Sequence, residues 1–478
     1  MLSALSSIAT WAAESPRDLA VVSASRRMSV GDVWDASLRL AGWLTSQRAS
    51  HSVGVATAVP TSLEPVALLA LLIRGGMGAT YVQGARIGDD APMQLLLTTG
   101  PGFPGVPEDR ILRLDAAARR SIQSVDPTRI TPADPGPDDV VRVFYSSGTT
   151  GAPKAIPLTR RQVEARLARP RDGGLVGDDI VTFLRGTSYA NQLGVISTLA
   201  ARRPYLVLDE PAQAVALIAE FRPLIVQGAP AQLAQVLAAA RGTGEHLESV
   251  KAVLSVGAPL APTTAAALAD WFGVEIVDVY GSTEGDVVYF HQWHAESEAG
   301  AEVYPTTEIE IVGPDHAVQP AGESGYVRVR TAAMASGYLG ADDADPFHGF
   351  HDGWFYPGDL GVLDGRRLTL VGRDDELLNI GGQKILAPRL EAAVMTVPGV
   401  REAAAVAVPD ALGVPQLSLA IVAESAVTRS SLAGALAPHA NGVPLATVLV
   451  IARMPRTESG KIRRTELTEL IRQRGLRG

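Results

Sequence analysis

The sequence predicts an α/β protein. Its plan is a large N-terminal domain of helix-flanked parallel sheets with a small β-rich subdomain, followed by a small C-terminal α/β domain. Three features of the 478 residues carry that expectation. Between 223 and 281, strand-like and helix-like segments alternate strictly, which implies a parallel sheet covered by helices. After about 300 the texture changes to short β segments. From about 376 a last strand and helix series begins, the size of one small domain. The expected division is 1–374 and 375–478.

From the N-terminus, Ser29 to Ala49 has helical spacing of Val33, Leu38, Leu40 and Leu44, and Glu64 to Arg74 reads as a buried helix. The linker Thr131-Pro132-Ala133-Asp134-Pro135-Gly136-Pro137 precedes a short strand, Val140 to Tyr145. In the alternating region, strands are expected at 224–226, 251–256 and 274–280, with helices at 231–241 and 263–272. Ligands in such sheets lie at the carboxyl ends of strands. Two Gly-bearing loops occupy such ends, Gly257-Ala258-Pro259 and Gly281-Ser282-Thr283-Glu284. Further on come β segments at 307–312 and 326–330 and a hairpin turning at Asp364-Gly365. The last unit reads as a helix near 389–396, strands at 403–408 and 417–422, a helix near 430–436, a strand at 448–451 and a final helix from Thr465.

Composition narrows the chemistry. Charged residues are 19%, apolar residues 46%, and net charge is −9, so the chain is globular and has no general nucleic-acid footprint. It has no cysteine, which excludes disulfides, thiolate zinc sites and a cysteine nucleophile. No basic residue precedes the first apolar residues, and the apolar run Val66 to Ile73 is too short to span a bilayer. A soluble cytoplasmic protein is expected. Of 42 basic residues only four are lysine: Lys154, Lys251, Lys384 and Lys461. Lysine is a compact point charge that arginine does not imitate at a phosphate or a crowded carboxylate. The surviving lysines therefore invite attention.

The stretch Tyr145-Ser146-Ser147-Gly148-Thr149-Thr150-Gly151-Ala152-Pro153-Lys154 directly follows a strand. Backbone N–H groups of a Gly-rich turn converge on anions, hydroxyls add donors and Lys154 adds charge. The loop suits a polyphosphate, although the usual P-loop pattern is absent. It resembles the phosphate loop of the adenylate-forming ligases, which include acyl- and aryl-CoA synthetases and peptide-synthetase adenylation domains. The resemblance recurs in order. Gly257-Ala258-Pro259 resembles the adenine-side loop, and Tyr280-Gly281-Ser282-Thr283-Glu284 the Tyr-Gly-x-Thr-Glu motif. Gly353 to Leu360 is similar to a Gly-Trp-x-x-Thr-Gly-Asp-Leu segment, with Pro357 in place of threonine. Gly372-Arg373-Asp374-Asp375 resembles the hinge, Gly381 to Ile385 the loop after it, and Pro455 to Lys461 the C-terminal lysine motif.

The resemblance implies ATP-dependent activation of an aryl or acyl carboxylic acid to an acyl-adenylate. Transfer to a thiol follows, CoA or the phosphopantetheine of a separate carrier protein. An amine acceptor, an unusual oxyanion substrate and a non-catalytic adenylate-binding scaffold remain alternatives. The implied roles follow the chemistry. Ser146, Ser147, Gly148, Thr149, Thr150, Gly151 and Lys154 would hold the phosphates, and Tyr280 would stack on adenine beside Gly257, Ala258 and Pro259. Gly281, Ser282 and Thr283 would line the nucleotide, with Gly281 also facing the acid. Asp359 would accept from both ribose hydroxyls and Arg373 would add a contact. Glu284 would hold Mg²⁺, which takes few carboxylates and keeps waters. Lys461 would neutralise the meeting of the substrate carboxylate and the α-phosphate. Asp375 takes the pivot position of a C-terminal domain that rotates between the two half-reactions. The acid pocket would include Tyr189, Asn191 and Asp286; Asn191 replaces a histidine common in the family, and either a polar substituent or a local loop bond would explain it.

Overall fold

The computed structural model describes the chain except residues 1, 24–25, 48, 50, 146–152, 169–179, 183–187, 209–210, 245–246, 259, 294–299, 341–344, 381, 411, 457–461 and 476–478, together with the side chains of 180–182 and 474–475. The described residues form two compact units. The first comprises Met1–Ile309, Arg328–Pro357 and Arg366–Leu368, the second Glu310–Val327, Gly358–Gly365 and Thr369–Gly478.

The first unit is built on two mainly parallel sheets, as the alternation predicts. The six-stranded sheet runs Ile111–Arg113, Leu95–Thr98, Val55–Ala58, Gly78–Thr80, Val140–Tyr145 and Ala155–Thr159, parallel until the last strand, which is antiparallel. The five-stranded sheet runs Ile180–Thr182, Ile225–Gly228, Ala252–Val256, Glu275–Ser282 and Asp286–Trp293, and its last strand is again antiparallel. Each sheet thus ends in a β-hairpin, and each hairpin connection holds one of the singled-out motifs. The stretch 146–154 joins Tyr145 to its cross-strand partner Ala155, and residues 283–285 join Ser282 to its partner Asp286.

The helices follow their sequence signals closely. Glu64–Arg74 has Pro65 in its first turn, where a missing N–H costs nothing, and every residue from Pro65 to Arg74 is buried. Val30–Ser46 starts at a capping box: the Ser29 hydroxyl accepts from the Asp32 N–H at 3.1 Å and the Asp32 carboxylate from the Ser29 N–H at 3.2 Å. Arg160–Leu167 repeats the device with Thr159 and Gln162. One core joins helices Ser3–Glu14, Val30–Ser46, Glu64–Arg74 and Tyr189–Ala200 around Trp11, Leu44, Leu69 and Leu199; another lies between the Pro211–Phe221, Pro230–Thr243 and Pro262–Phe272 helices and the five-stranded sheet.

In the second unit, strands Val400–Pro409 and Pro415–Ala423 are antiparallel and Leu445–Val450 adds parallel to the latter. Helix Ala387–Met395 packs on one face through Leu390 and Val394, and helix Arg464–Gly475 on the other through Leu467 and Ile471. Asp374 and Asp375, where the sequence divides into two expected domains, form the short 3-10 turn Asp374–Glu376 inside this unit.

Candidate active site

Each unit carries its own cluster of the singled-out residues. In the first unit the centre is Glu284, 9% exposed, in the 283–285 turn. Sequence reading places Gly281-Ser282 in a loop; the structure places both in the Glu275–Ser282 strand. The reason is local. Gly281 has no side chain, so the facing strand closes in: a Cβ there would lie 2.5 Å from the Asp286 carbonyl oxygen. The turn is then tied by the Ser282 hydroxyl, which accepts from the Gly285 N–H at 2.9 Å. Asp286 closes it at φ +70°, a left-handed backbone uncommon for a residue with a side chain and tolerated best by Asp and Asn.

Segment 331–339 stitches this turn to the hairpin of strands Val140–Tyr145 and Ala155–Thr159. The Ala335 N–H donates to the Glu284 carbonyl at 2.8 Å, and the Leu339 N–H donates to the Ala155 carbonyl at 2.8 Å. Helix Arg160–Leu167 holds the same segment from its other side, with Gln162 Nε2 donating to the Met334 carbonyl at 2.7 Å and Arg166 Nε to the Ala333 carbonyl at 2.9 Å. Lys154 and Glu284 are thereby brought together around Tyr338. The Tyr338 hydroxyl donates to Glu284 Oε1 at 3.1 Å, and Lys154 Nζ lies 4.4 Å from the centre of its ring. Burial pushes the Glu284 carboxyl above its ordinary range; the Tyr338 hydrogen bond and the charges of Arg166 and Lys154 oppose that rise.

Tyr189 and Asp286, both expected in the acid pocket, meet: the Tyr189 hydroxyl donates to Asp286 Oδ1 at 3.1 Å, under the Arg166 guanidinium, 5.0 Å from the ring centre. Asn191 turns elsewhere. It is 1% exposed and its Oδ1 accepts from the Tyr205 hydroxyl at 2.7 Å. Tyr280 is half-buried, its ring 5.2 Å from that of its cross-strand partner Tyr289. Gly257, at φ +88°, and Ala258 lie exposed after strand Ala252–Val256. Ser146, Ser147, Gly148, Thr149, Thr150, Gly151, Pro259 and Lys461 lie outside the described residues.

In the second unit Arg373 bridges two of the expected residues. Its Nη1 donates to Asp359 Oδ1 at 3.1 Å and its Nε to Asp375 Oδ1 at 2.9 Å. Burial alone would favour loss of the guanidinium proton, but the two carboxylates outweigh it and hold the group charged. Gly372 leaves room for the Leu386 side chain, whose Cδ2 would lie 2.7 Å from a Cβ there and would have to shift. The other lysines are ordinary by comparison. Lys251 is exposed and reaches the Glu248 carbonyl at 3.4 Å, and Lys384 is exposed on strand Gln383–Leu386.

Sequence reading missed Tyr338, Arg166 and Asp278. The first lies in Ser336-Gly337-Tyr338-Leu339-Gly340, whose flanking glycines both adopt positive φ, +152° and +70°. Asp278, on the Glu275–Ser282 strand opposite His291, has its carboxyl pushed up to about 6 by burial, against an opposing hydrogen bond from the Val279 N–H. A raised carboxyl favours the fold while protonated, so that contribution is lost as pH climbs from the unfolded range near 4 through about 6. Asp278→Asn is therefore expected to raise the thermal midpoint by about 2 °C at pH 8, with a smaller gain at pH 5. Calorimetric scans at the two pH values check it.

The donor set around Glu284 fits a magnesium ion that arrives with a triphosphate. Magnesium takes one or two carboxylates and completes its shell with phosphate oxygens and waters. Among the described residues no group of three or more His, Asp or Glu could hold a metal unaided. No helix among them is long and apolar enough to cross a membrane.

Two mainly parallel sheets with motif-bearing edge hairpins, together with a separate small α/β unit, match the fold of solved structures in the adenylate-forming superfamily. The chain belongs to that superfamily: residues 98–339 match the AMP-binding enzyme family and residues 389–461 its C-terminal domain. It is 28% identical over 449 residues to a 4-chlorobenzoate–CoA ligase of Arthrobacter sp, covering 87% of this chain and 85% of that one. It is 27% identical over 379 residues to a 3-hydroxybenzoate–CoA/4-hydroxybenzoate–CoA ligase of Thauera aromatica, covering 70% and 67%. The fold superposes on ATP-bound MatB from Rhodopseudomonas palustris with TM-score 0.83, at 20% identity over 98% of this chain and 99% of that one.

Proposed function

We propose that the protein is an AMP-forming acid–thiol ligase that activates an aryl carboxylic acid with ATP and passes the acyl group to CoA. The observation that supports it best is the Lys154–Tyr338–Glu284 cluster, which places a cation and a buried carboxylate on the two hairpin connections that match nucleotide motifs. In this reading Lys154 and residues 146–151 hold the triphosphate, and Glu284 holds its magnesium, which screens the phosphate charge. Thr149 and Lys461 act at the α-phosphate; Gly257, Ala258, Pro259, Tyr280, Gly281, Ser282 and Thr283 bind the adenine side. Asp359 and Arg373 take the ribose. Asp375 is the pivot between half-reactions, and its ion pair with Arg373 couples the pivot to the ribose residues of its own unit.

The acid is proposed to be aromatic on two grounds. The relatives named above are benzoate–CoA ligases, and Tyr189 and Phe144 bring aromatic rings, 6.0 Å apart, beside the Asp286 carboxylate. Asn191, with its amide oxygen held by Tyr205, acts as support for the pocket in this reading. The test is pyrophosphate release with ATP, Mg²⁺ and a panel of substituted benzoates, short-chain acids and α-amino acids, followed by CoA, a phosphopantetheinyl carrier or a simple amine. Benzoate-dependent release with thioester formation on CoA is expected. Product only with the amine would move the acceptor, and silence with every acid would favour a binding protein.

A further inference from the structure

Tyr338 touches both charges of the site described above, through different parts of one side chain. Its hydroxyl donates to Glu284 Oε1 at 3.1 Å, and its ring face carries the Lys154 ammonium at 4.4 Å from the centroid. The residue is itself fixed. Three residues before it, the Ala335 N–H is bonded to the Glu284 carbonyl; one residue after it, the Leu339 N–H is bonded to the Ala155 carbonyl, beside Lys154. Its ring packs edge-on against Phe350, centroids 5.3 Å apart at 71°. Backbone and side chain therefore repeat the same link, from the Glu284 turn to the Lys154 strand.

A carboxylate and an ammonium left to collapse onto each other would neutralise the two charges that a metal–triphosphate needs. A tyrosine between them prevents this at low cost. The π face attracts the cation without consuming a hydrogen-bond acceptor, and the hydroxyl orients the carboxylate through Oε1. We propose that Tyr338 is a positioning residue, a spacer that holds Glu284 and Lys154 apart and aimed so that a magnesium–triphosphate is received between them. This rests on the nucleotide role given to Glu284 and Lys154 above.

The test is ATP binding to the full chain by calorimetry, with magnesium saturating and with EDTA. Tyr338→Phe keeps the ring under Lys154 and removes the hydroxyl. It is expected to cut the magnesium-dependent gain in affinity about tenfold, the size of one hydrogen bond to a charged group, while affinity in EDTA stays unchanged. Tyr338→Leu removes the ring as well and is expected to weaken binding in EDTA by a further factor of about 3. A third arm adds Tyr338→Phe to Glu284→Gln, where it should change nothing further. If Tyr338→Phe keeps the full magnesium gain, or loses the EDTA and magnesium arms equally, the spacer role is overturned. If the parent chain itself gains nothing from magnesium, the metal role of Glu284 falls first and the spacer role with it. Thermal scans of each variant report whether a loss comes from unfolding, in which case the Glu284→Gln arm in the parent still decides whether the carboxylate is the magnesium-linked group.

Discussion

Lys461→Ala is expected to lower acyl-adenylate formation about a thousandfold while leaving ATP affinity within a factor of about 3. Adenylation brings a carboxylate against an α-phosphate, two anions that repel until one P–O bond forms and another breaks. A cation present only near that encounter stabilises the transition state more than bound ATP, so its loss falls on the rate and spares the ground state. The described residues around 457–461 suit such a role. The loop is closed at its base by the antiparallel bridge between Arg456 and Ile462, and the Arg463 N–H donates to the Pro455 carbonyl at 2.9 Å. Arg456 is itself anchored by an ion pair with Glu402. Pyrophosphate exchange measures the first half-reaction, and thioester formation from separately supplied acyl-adenylate measures the second. An equal loss in ATP affinity and rate would make Lys461 a binding or folding residue. Lys461→Arg keeps the charge but not the compact point geometry and should recover only a small part.

Much of the fold was legible because its signals are local. Pro65 and Glu64 open a helix that Gly75 ends, and the helix runs Glu64–Arg74 as its apolar run implies. The strand and helix alternation after 223 recurs within a residue or two, because apolar runs and their turn residues set both ends. The edge hairpins were not legible. Whether Tyr145 and Ser282 are followed by a helix or by an antiparallel return depends on cross-strand pairing, which a single strand's sequence does not encode. The same reason hid the site's middle member. Lys154 and Glu284 announce themselves as a rare lysine and an acid in a Gly-flanked loop, but Tyr338 joins them across more than 50 residues in one direction and 180 in the other. For Asn191 the sequence left a polar substituent or a local bond open; the partner its amide oxygen takes, the Tyr205 hydroxyl on a short strand fourteen residues later, depends on tertiary packing.

Glu284→Gln separates a residue kept for function from one kept for stability. Burial disfavours the ionised carboxylate, and its raised pKa means that stability present at low pH is lost as pH rises past the unfolded carboxyl range and through the folded one. Ionising Glu284 therefore costs the fold stability. Glutamine has nearly the same shape, keeps an oxygen for the Tyr338 hydroxyl at the Oε1 position, and has no charge to desolvate. The variant is expected to melt about 2 °C higher than the parent at pH 8, with the gain shrinking toward pH 5. Pyrophosphate exchange is expected to fall about a hundredfold, because an amide does not replace a carboxylate on magnesium. The two results oppose each other in sign, as expected where a destabilising group is retained for its chemistry. A variant that melts lower and exchanges pyrophosphate at the parent rate would make Glu284 a structural acid. In that case Arg166, which reaches the Glu284 carbonyl and packs over Tyr189, would be the charge that holds it.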